Sequence, residues 1–112
     1  MDYIDKKVLG NNCSNDVKIE KDLLRMGQVR LKESLEITEK FMQERSWNIL
    51  ADCIHRLRPV INFCGIVFYE DTLFSMEKSI KENNTDAITE KDLSDLLDFL
   101  KGAIAAVEKE LG

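Results

Sequence analysis

Hydrophobic side chains recur along this chain at intervals of three, four and seven residues, the spacing of one face of an α-helix. Four such stretches follow one another: from residue 17 onwards, over about 47–63, over about 66–81, and from residue 89 onwards. The last has the most regular stripe: Leu93, Leu96, Leu97, Leu100, Ile104, Val107 and Leu111. This pattern predicts four amphipathic helices.

The helix boundaries are predicted from polar residues that precede each stripe. Asn15 or Asp16 is expected to cap the first helix and Ser46 the second. Thr89 and Asp92 resemble a capping box at the start of the last helix. The first helix has a stripe of Val17, Leu24, Leu31, Leu35 and Met42. We expect it to be continuous, although a glycine within a helix costs about 1 kcal/mol relative to alanine.

The arrangement of these helices follows from what separates them. Residues 1–15 contain a glycine, several asparagines and a serine, which compete with helix formation, so we expect a loosely held N-terminal leader. Residues 16–112 then form one all-α domain, an antiparallel up-down four-helix bundle. The same stripes would suit a coiled-coil dimer, but the short connections and varied core residues favour a monomer.

Composition narrows the class of protein. The 112 residues suffice for one domain, and a net charge of −5 argues against a nucleic-acid partner. The longest apolar run, residues 60–69, is too short to span a bilayer, so no membrane partner is expected. The acidic start of the chain is unlike a secretory signal, and three cysteines suit reduced thiols. We therefore expect a cytoplasmic protein.

One residue stands out as a candidate for chemistry. His55 is the only histidine, and it falls on the polar side of the second predicted helix, where an imidazole is partly neutral and nucleophilic. Arg58 follows His55 by one turn. Asp52 precedes His55 by one turn, where it would either orient the ring or be a solvated surface charge, and the weak energies of local side-chain pairs favour the surface charge. The same side carries Pro59 and Asn62. A lone surface histidine is more often an ordinary solvated side chain, so spacing alone does not decide.

Other chemistry finds little support in the sequence. Phe63 falls away from the core stripe, and it either forms part of a docking surface or is covered by the leader. Cys53 and Cys64 are expected in the core. Cys53 and His55 point to different faces of one helix, so they do not share a metal. The adjacent carboxylates at residues 70 and 71 are interpreted as solvated.

Several motifs together resemble the histidine phosphotransfer family. That family's pattern is H-x-[LI]-K-G-x6-G, and here His55-Arg56-Leu57-Arg58-Pro59 is followed by Gly65. Met76-Glu77 matches a pair in the family's next helix, and Trp47, Leu50 and Ala51 match its W-x-x-L-A run. The resemblance covers residues 46–80. Two positions depart from it: Arg58 replaces the usual lysine, and Pro59 replaces a glycine that allows close approach of the partner.

The resemblance implies a function. His55 would accept a phosphoryl group from an aspartyl phosphate on a receiver domain, of a response regulator or a hybrid sensor kinase, and pass it to another receiver. Arg58 would stabilise the phosphoryl oxygens, while Asp52, Pro59, Asn62, Phe63 and Glu77 would border the partner. No cofactor is expected on this chain, because the receiver supplies the magnesium ion. The protein would be a carrier without enzymatic turnover of its own.

Two alternatives remain open. The chain would be a non-catalytic helical adaptor if His55 is incidental. It would be the dimerisation and phosphoacceptor fragment of a histidine kinase if the H-x-x-x-P spacing is the informative feature, although an arginine follows the histidine where that family has an acidic residue.

Overall fold

The structure, a computed structural model, describes residues 2–112, and within them all regular secondary structure is helical. Five α-helices are present: α1 (Lys6–Asn12), α2 (Val17–Glu44), α3 (Trp47–Phe63), α4 (Glu70–Lys81) and α5 (Glu90–Leu111). A short 3-10 turn, Thr85–Ala87, precedes α5. The all-α prediction is confirmed. The predicted third bundle helix begins at Glu70 rather than near residue 66.

The late start of α4 has a local cause at Gly65. This residue has φ of +83°, a left-handed conformation that glycine adopts without strain, and its carbonyl accepts a hydrogen bond from the backbone amide of Asp5 at 2.8 Å. A β-carbon at position 65 would lie only 2.6 Å from the carbonyl oxygen of Asp5. The chain therefore turns here and resumes helix only after Tyr69.

The face of α2 that packs into the core carries small and polar residues as well as large apolar ones. Its buried residues are Leu24, Gly27, Leu31, Ser34, Thr38 and Phe41. The hydroxyls of Ser34 and Thr38 each donate to a backbone carbonyl one turn earlier, both at 2.8 Å, so no unpaired polar group is buried at those two positions. The helix is continuous through Gly27, as predicted. Val17, however, is exposed, so the predicted stripe began in the wrong place.

The remaining helices bury most of the predicted residues. In α5, however, Leu97, Ile104 and Leu111 are only half-buried, while Phe99 and Ala103, which lie outside the predicted stripe, are buried. α2 packs against α3 and α5, and α3 packs against α4. The core these helices share includes Leu50, Ile54, Leu57, Ile61, Leu73, Met76, Ile80, Leu93, Leu96 and Leu100. Fully burying one such side chain contributes about 1.5–3 kcal/mol. These contacts fix the position of α3 relative to α4, and the candidate site lies between those two helices.

The N-terminal leader is not loosely held, contrary to expectation. Residues 6–12 form α1, whose N-terminus is capped by the carboxylate of Asp5. Leu9 is completely buried in the common core, and Cys13 is also buried. The amide of Asn12 donates to the last carbonyls of α3, those of Asn62 and Phe63. The asparagine-rich run therefore ends a helix instead of preventing one.

The helix caps are partly as predicted. Asp16 caps α2 through its side chain, and Thr89 with Asp92 forms a complete capping box at the start of α5. Ser46 is the N-cap residue of α3, which starts at Trp47 as predicted, but its side chain makes no capping hydrogen bond. Among residues 2–112, the structure contains no helix with the length and apolar character that a bilayer crossing requires.

Candidate functional site

The imidazole of His55 is displayed on the outer side of α3. The neighbouring positions Ile54 and Leu57 face the core, and the helical rotation therefore turns His55 outward. Its side chain is 64% exposed. Two shallow clefts of about 440 and 450 Å³ flank it, one on each side. The ring is therefore accessible to another molecule.

A buried carboxylate holds one side of this exposed ring. Nδ1 of His55 lies 2.9 Å from Oε2 of Glu77 on α4. Glu77 follows Met76 on the inward face of α4, and its side chain is only 5% exposed. A buried carboxylate needs charged or hydrogen-bonding partners, because burying an unpaired charge is costly. Glu77 has three of them.

The second partner of Glu77 is Arg58. Its Nη1 donates to Oε1 of Glu77 at 2.9 Å, while its Nε and Nη2 both donate to Oε1 of Glu70, at 3.0 and 2.7 Å. The guanidinium also lies over the ring of Phe74, 5.0 Å from its centroid. Arg58 is thus a clamp between α3 and α4. A direct contact with a phosphoryl group would compete with these bonds.

The third partner of Glu77 is Lys81, one turn further along α4. Its Nζ lies 2.6 Å from Oε2 of Glu77, the same oxygen that contacts His55. Unlike Arg58, the Lys81 side chain is 60% exposed, and it lines both clefts beside His55. Sequence reasoning missed this residue, although the spacing of four residues from Glu77 on one helix was a usable signal.

The charge of Glu77 determines which nitrogen of a neutral His55 imidazole carries the proton. Burial alone would raise the pKa of the Glu77 carboxyl, but the hydrogen bonds from Lys81, Arg58 and His55 outweigh it and hold this pKa below its ordinary value. Glu77 is therefore ionised at neutral pH and only accepts hydrogen bonds. Since Nδ1 must then carry the proton, a neutral His55 presents its Nε2 lone pair to solvent. No residue within 2–112 hydrogen-bonds to Nε2.

The contacts distinguish the roles considered for two carboxylates. Asp52 does not contact the imidazole: its carboxylate pairs with Arg56 at 2.9 Å, both groups being exposed, which fits the solvated surface charge expected of it. Glu77 takes the orienting role instead, since the packing of α4 against α3 brings it to Nδ1. Glu77 therefore has a structural role at the ring, and its predicted place at the border of a docked partner stays a prediction.

Glu70 differs from expectation through its contacts with Asn62 and Arg58. The side-chain amide of Asn62 donates to Oε2 of Glu70 at 3.0 Å, and Asn62 is only half-exposed. Glu70 was interpreted as solvated, yet it joins Arg58 and Asn62 at the start of α4. A carboxylate in the first turn also interacts favourably with the helix dipole. Both residues strengthen the α3–α4 junction.

Pro59 and Phe63 remain on the surface. Pro59 is exposed on α3, which continues to Phe63 without interruption. Phe63 is 51% exposed, so the leader does not cover it. Other exposed apolar side chains are close in sequence: Val67, Phe68 and Phe74. Exposed apolar side chains are thus present on the residues that lead from α3 into α4.

The cysteines lie apart from this chemistry. Cys13, Cys53 and Cys64 are all buried and unpaired with one another. Burial raises the pKa of the Cys64 thiol to about 11, so it is a weak nucleophile at neutral pH. Within residues 2–112, no group of three or more His, Cys, Asp or Glu side chains is arranged to hold a metal ion.

Comparisons of the chain with protein families, with curated proteins and with solved structures give no match. The functional assignment therefore depends on the geometry of this chain's own residues.

Proposed function

We propose that this protein is a histidine phosphotransfer carrier, which receives a phosphoryl group on His55 from a receiver-domain aspartate and passes it to another receiver. The observation that carries the proposal is the pairing of an exposed imidazole with a buried carboxylate: Nδ1 contacts Glu77 while Nε2 faces solvent. A surface histidine without a function does not require a contact with a buried, ionised carboxylate. The resemblance over residues 46–80 points to the same chemistry.

In the transfer step this chain supplies only the attacking nitrogen and the carboxylate that stabilises the imidazolium. The Nε2 lone pair attacks the phosphorus of the aspartyl phosphate, the phosphorus–oxygen bond breaks, and its electron pair leaves with the aspartate carboxylate. The Nδ1 proton stays in the hydrogen bond to Glu77, whose negative charge stabilises the imidazolium that forms. Phosphoryl transfer depends mostly on positioning and on charge stabilisation. The receiver would supply the magnesium ion, and this chain would hold no cofactor.

The helix contacts support an antiparallel up-down bundle made of α2–α5. The helices pack as sequence neighbours along α2, α3 and α4, and α5 returns to lie against α2. This arrangement keeps the outer faces of α3 and α4 free for a partner. We propose a cytoplasmic monomer that turns over no substrate of its own and binds neither nucleic acid nor membrane.

The receiver would dock over the junction of α3 and α4. Phe63 and Pro59 would lie at its edge, and Asp52 would offer an exposed carboxylate on the other side of His55. Exposed aromatic side chains are enriched in the cores of protein interfaces. Because Pro59 is larger than the glycine usual at this position, we expect slower transfer than in carriers with that glycine.

The experiment is phosphoryl transfer from a purified receiver domain carrying a labelled aspartyl phosphate. Because His55 is the only histidine, acid-labile and base-stable label on this chain identifies the site without mapping. We expect label on the wild type and none on His55→Gln. The matched control, Asp98→Asn, alters an exposed residue of α5 outside the proposed docking surface and should still accept label. Equal labelling of His55→Gln, or no labelling of the wild type, would exclude the carrier function.

The exposed apolar side chains also favour a second candidate, a helical adaptor in which His55 is incidental. An adaptor would bind a receiver equally well with His55 or with glutamine at that position and would take up no phosphate. A kinase fragment would instead sediment as a stable dimer.

A further inference from the structure

The two cations at Glu77 differ in their freedom to move. Arg58 makes three hydrogen bonds to two carboxylates and is only 22% exposed, so releasing it would break three hydrogen bonds between α3 and α4. Lys81 contacts only one oxygen among residues 2–112, is largely exposed, and carries its ammonium on a flexible four-carbon chain. A cation that must change partner during a reaction is better supplied by Lys81.

The position of Lys81 also places it at the reacting ring. Its Nζ and the Nδ1 of His55 bind the same oxygen of Glu77, so ammonium and imidazole are adjacent. Both clefts that flank His55 have Lys81 in their walls. A phosphoryl group attached to Nε2 would therefore extend into space that the lysine chain reaches by rotating.

We propose that Lys81, rather than Arg58, is the residue that binds the phosphoryl oxygens on His55, leaving Glu77 when the phosphoryl group arrives. This inference rests on the proposed function. A phosphoryl group carries a charge of about −1.5 to −2, which attracts the ammonium more strongly than the single charge of Glu77. Glu77 would not be left unpaired, because Arg58 and the protonated Nδ1 remain bound to it.

The test uses potassium phosphoramidate as a small phosphoryl donor, so that no receiver is needed. Nε2 attacks the phosphorus, the phosphorus–nitrogen bond breaks, and ammonia leaves with the electron pair. The variants are Lys81→Met, Lys81→Arg and the control Lys78→Met, which removes an exposed lysine of the same helix and the same cleft. Lys81 is exposed, so these variants should keep the helical circular dichroism of the wild type.

We expect Lys81→Met to accept phosphate about tenfold more slowly, the effect of losing one charge-assisted hydrogen bond. Lys81→Arg should recover most of the rate, and Lys78→Met should match the wild type. Titration by ³¹P NMR adds a readout that a structural role would not change. The second ionisation of the bound phosphoryl group should occur at lower pH in the wild type than in Lys81→Met, since a nearby cation favours the dianion.

Unchanged rate and titration in Lys81→Met would overturn the role of Lys81, and so would equal slowing by Lys78→Met, which would indicate general attraction of the donor. Wild-type protein that takes no phosphate onto His55 would overturn both proposals. Wild-type protein that reacts with phosphoramidate in a Lys81-dependent way but accepts nothing from receivers would leave the Lys81 contact established and exclude the carrier function.

Discussion

Gly27 of α2 lies directly against Cys64 at the end of α3, and a β-carbon at position 27 would lie 2.5 Å from the Cys64 sulfur. The glycine thus allows the two helices to approach closely at this point. The sulfur fills the space and lies 3.3 Å from the carbonyl oxygen of Leu23, to which its S–H donates. Close packing here holds the end of α3, nine residues beyond His55.

Gly27→Ala should therefore destabilise the protein. The overpacking cost of about 1–3 kcal/mol should exceed the gain of about 1 kcal/mol in helix propensity. Urea denaturation measures the change. In the double variant Gly27→Ala with Cys64→Ala the clash disappears, so its loss of stability should be smaller than the sum of the two single losses. Strict additivity would show that the two residues do not interact.

Leu9→Ala should reveal that the leader belongs to the folded domain. Leu9 is completely buried, so its truncation should lower the free energy of unfolding by about 2–4 kcal/mol. Lys7→Ala, an exposed position of the same helix, should change it by less than about 0.5 kcal/mol. Similar stabilities of the two variants would indicate that α1 does not contribute to the core.

Arg58→Met should weaken the α3–α4 junction. The change leaves the buried carboxylate of Glu77 and the half-buried one of Glu70 without their shared partner, which should cost about 2 kcal/mol in thermal or urea unfolding. The matched control is Arg56→Met, which breaks only the exposed pair with Asp52 and should cost less than about 0.5 kcal/mol. Equal losses would contradict the role of Arg58 as a clamp.

Glu77 should make the stability depend on pH in the acid range. The pKa of its carboxyl is lower in the folded than in the unfolded chain, so it stabilises the fold above the ordinary carboxyl pKa of about 4.3. That contribution is lost as the pH falls through the folded-state value. The stability advantage of wild type over Glu77→Gln should therefore shrink as the pH falls below the ordinary carboxyl pKa and through the lowered folded-state value. An advantage that grows as the pH falls would contradict the ionised state.

The helices and the exposure of His55 were predictable because both follow from periodicity along a single helix. The burial of Ser34 and Thr38 in α2 was not predictable from hydrophobic periodicity, because both residues are polar. They can lie in the core because their hydroxyls donate to backbone carbonyls of their own helix. Only the resemblance indicated that Glu77 lies near His55. Spacing along one helix offered Asp52, one turn away, whereas Glu77 is 22 residues distant and meets the ring only through the packing of α4 against α3.

The most direct test of the central claim is to determine which imidazole nitrogen bears the phosphate. Protein labelled with ¹⁵N, after reaction with a phosphorylated receiver, is examined by long-range ¹H–¹⁵N correlation of its single histidine. The account predicts phosphorus coupling at Nε2 and a proton retained on Nδ1, where Glu77 holds it. Phosphate on Nδ1, or a histidine spectrum that the phosphorylated receiver leaves unchanged, would contradict it.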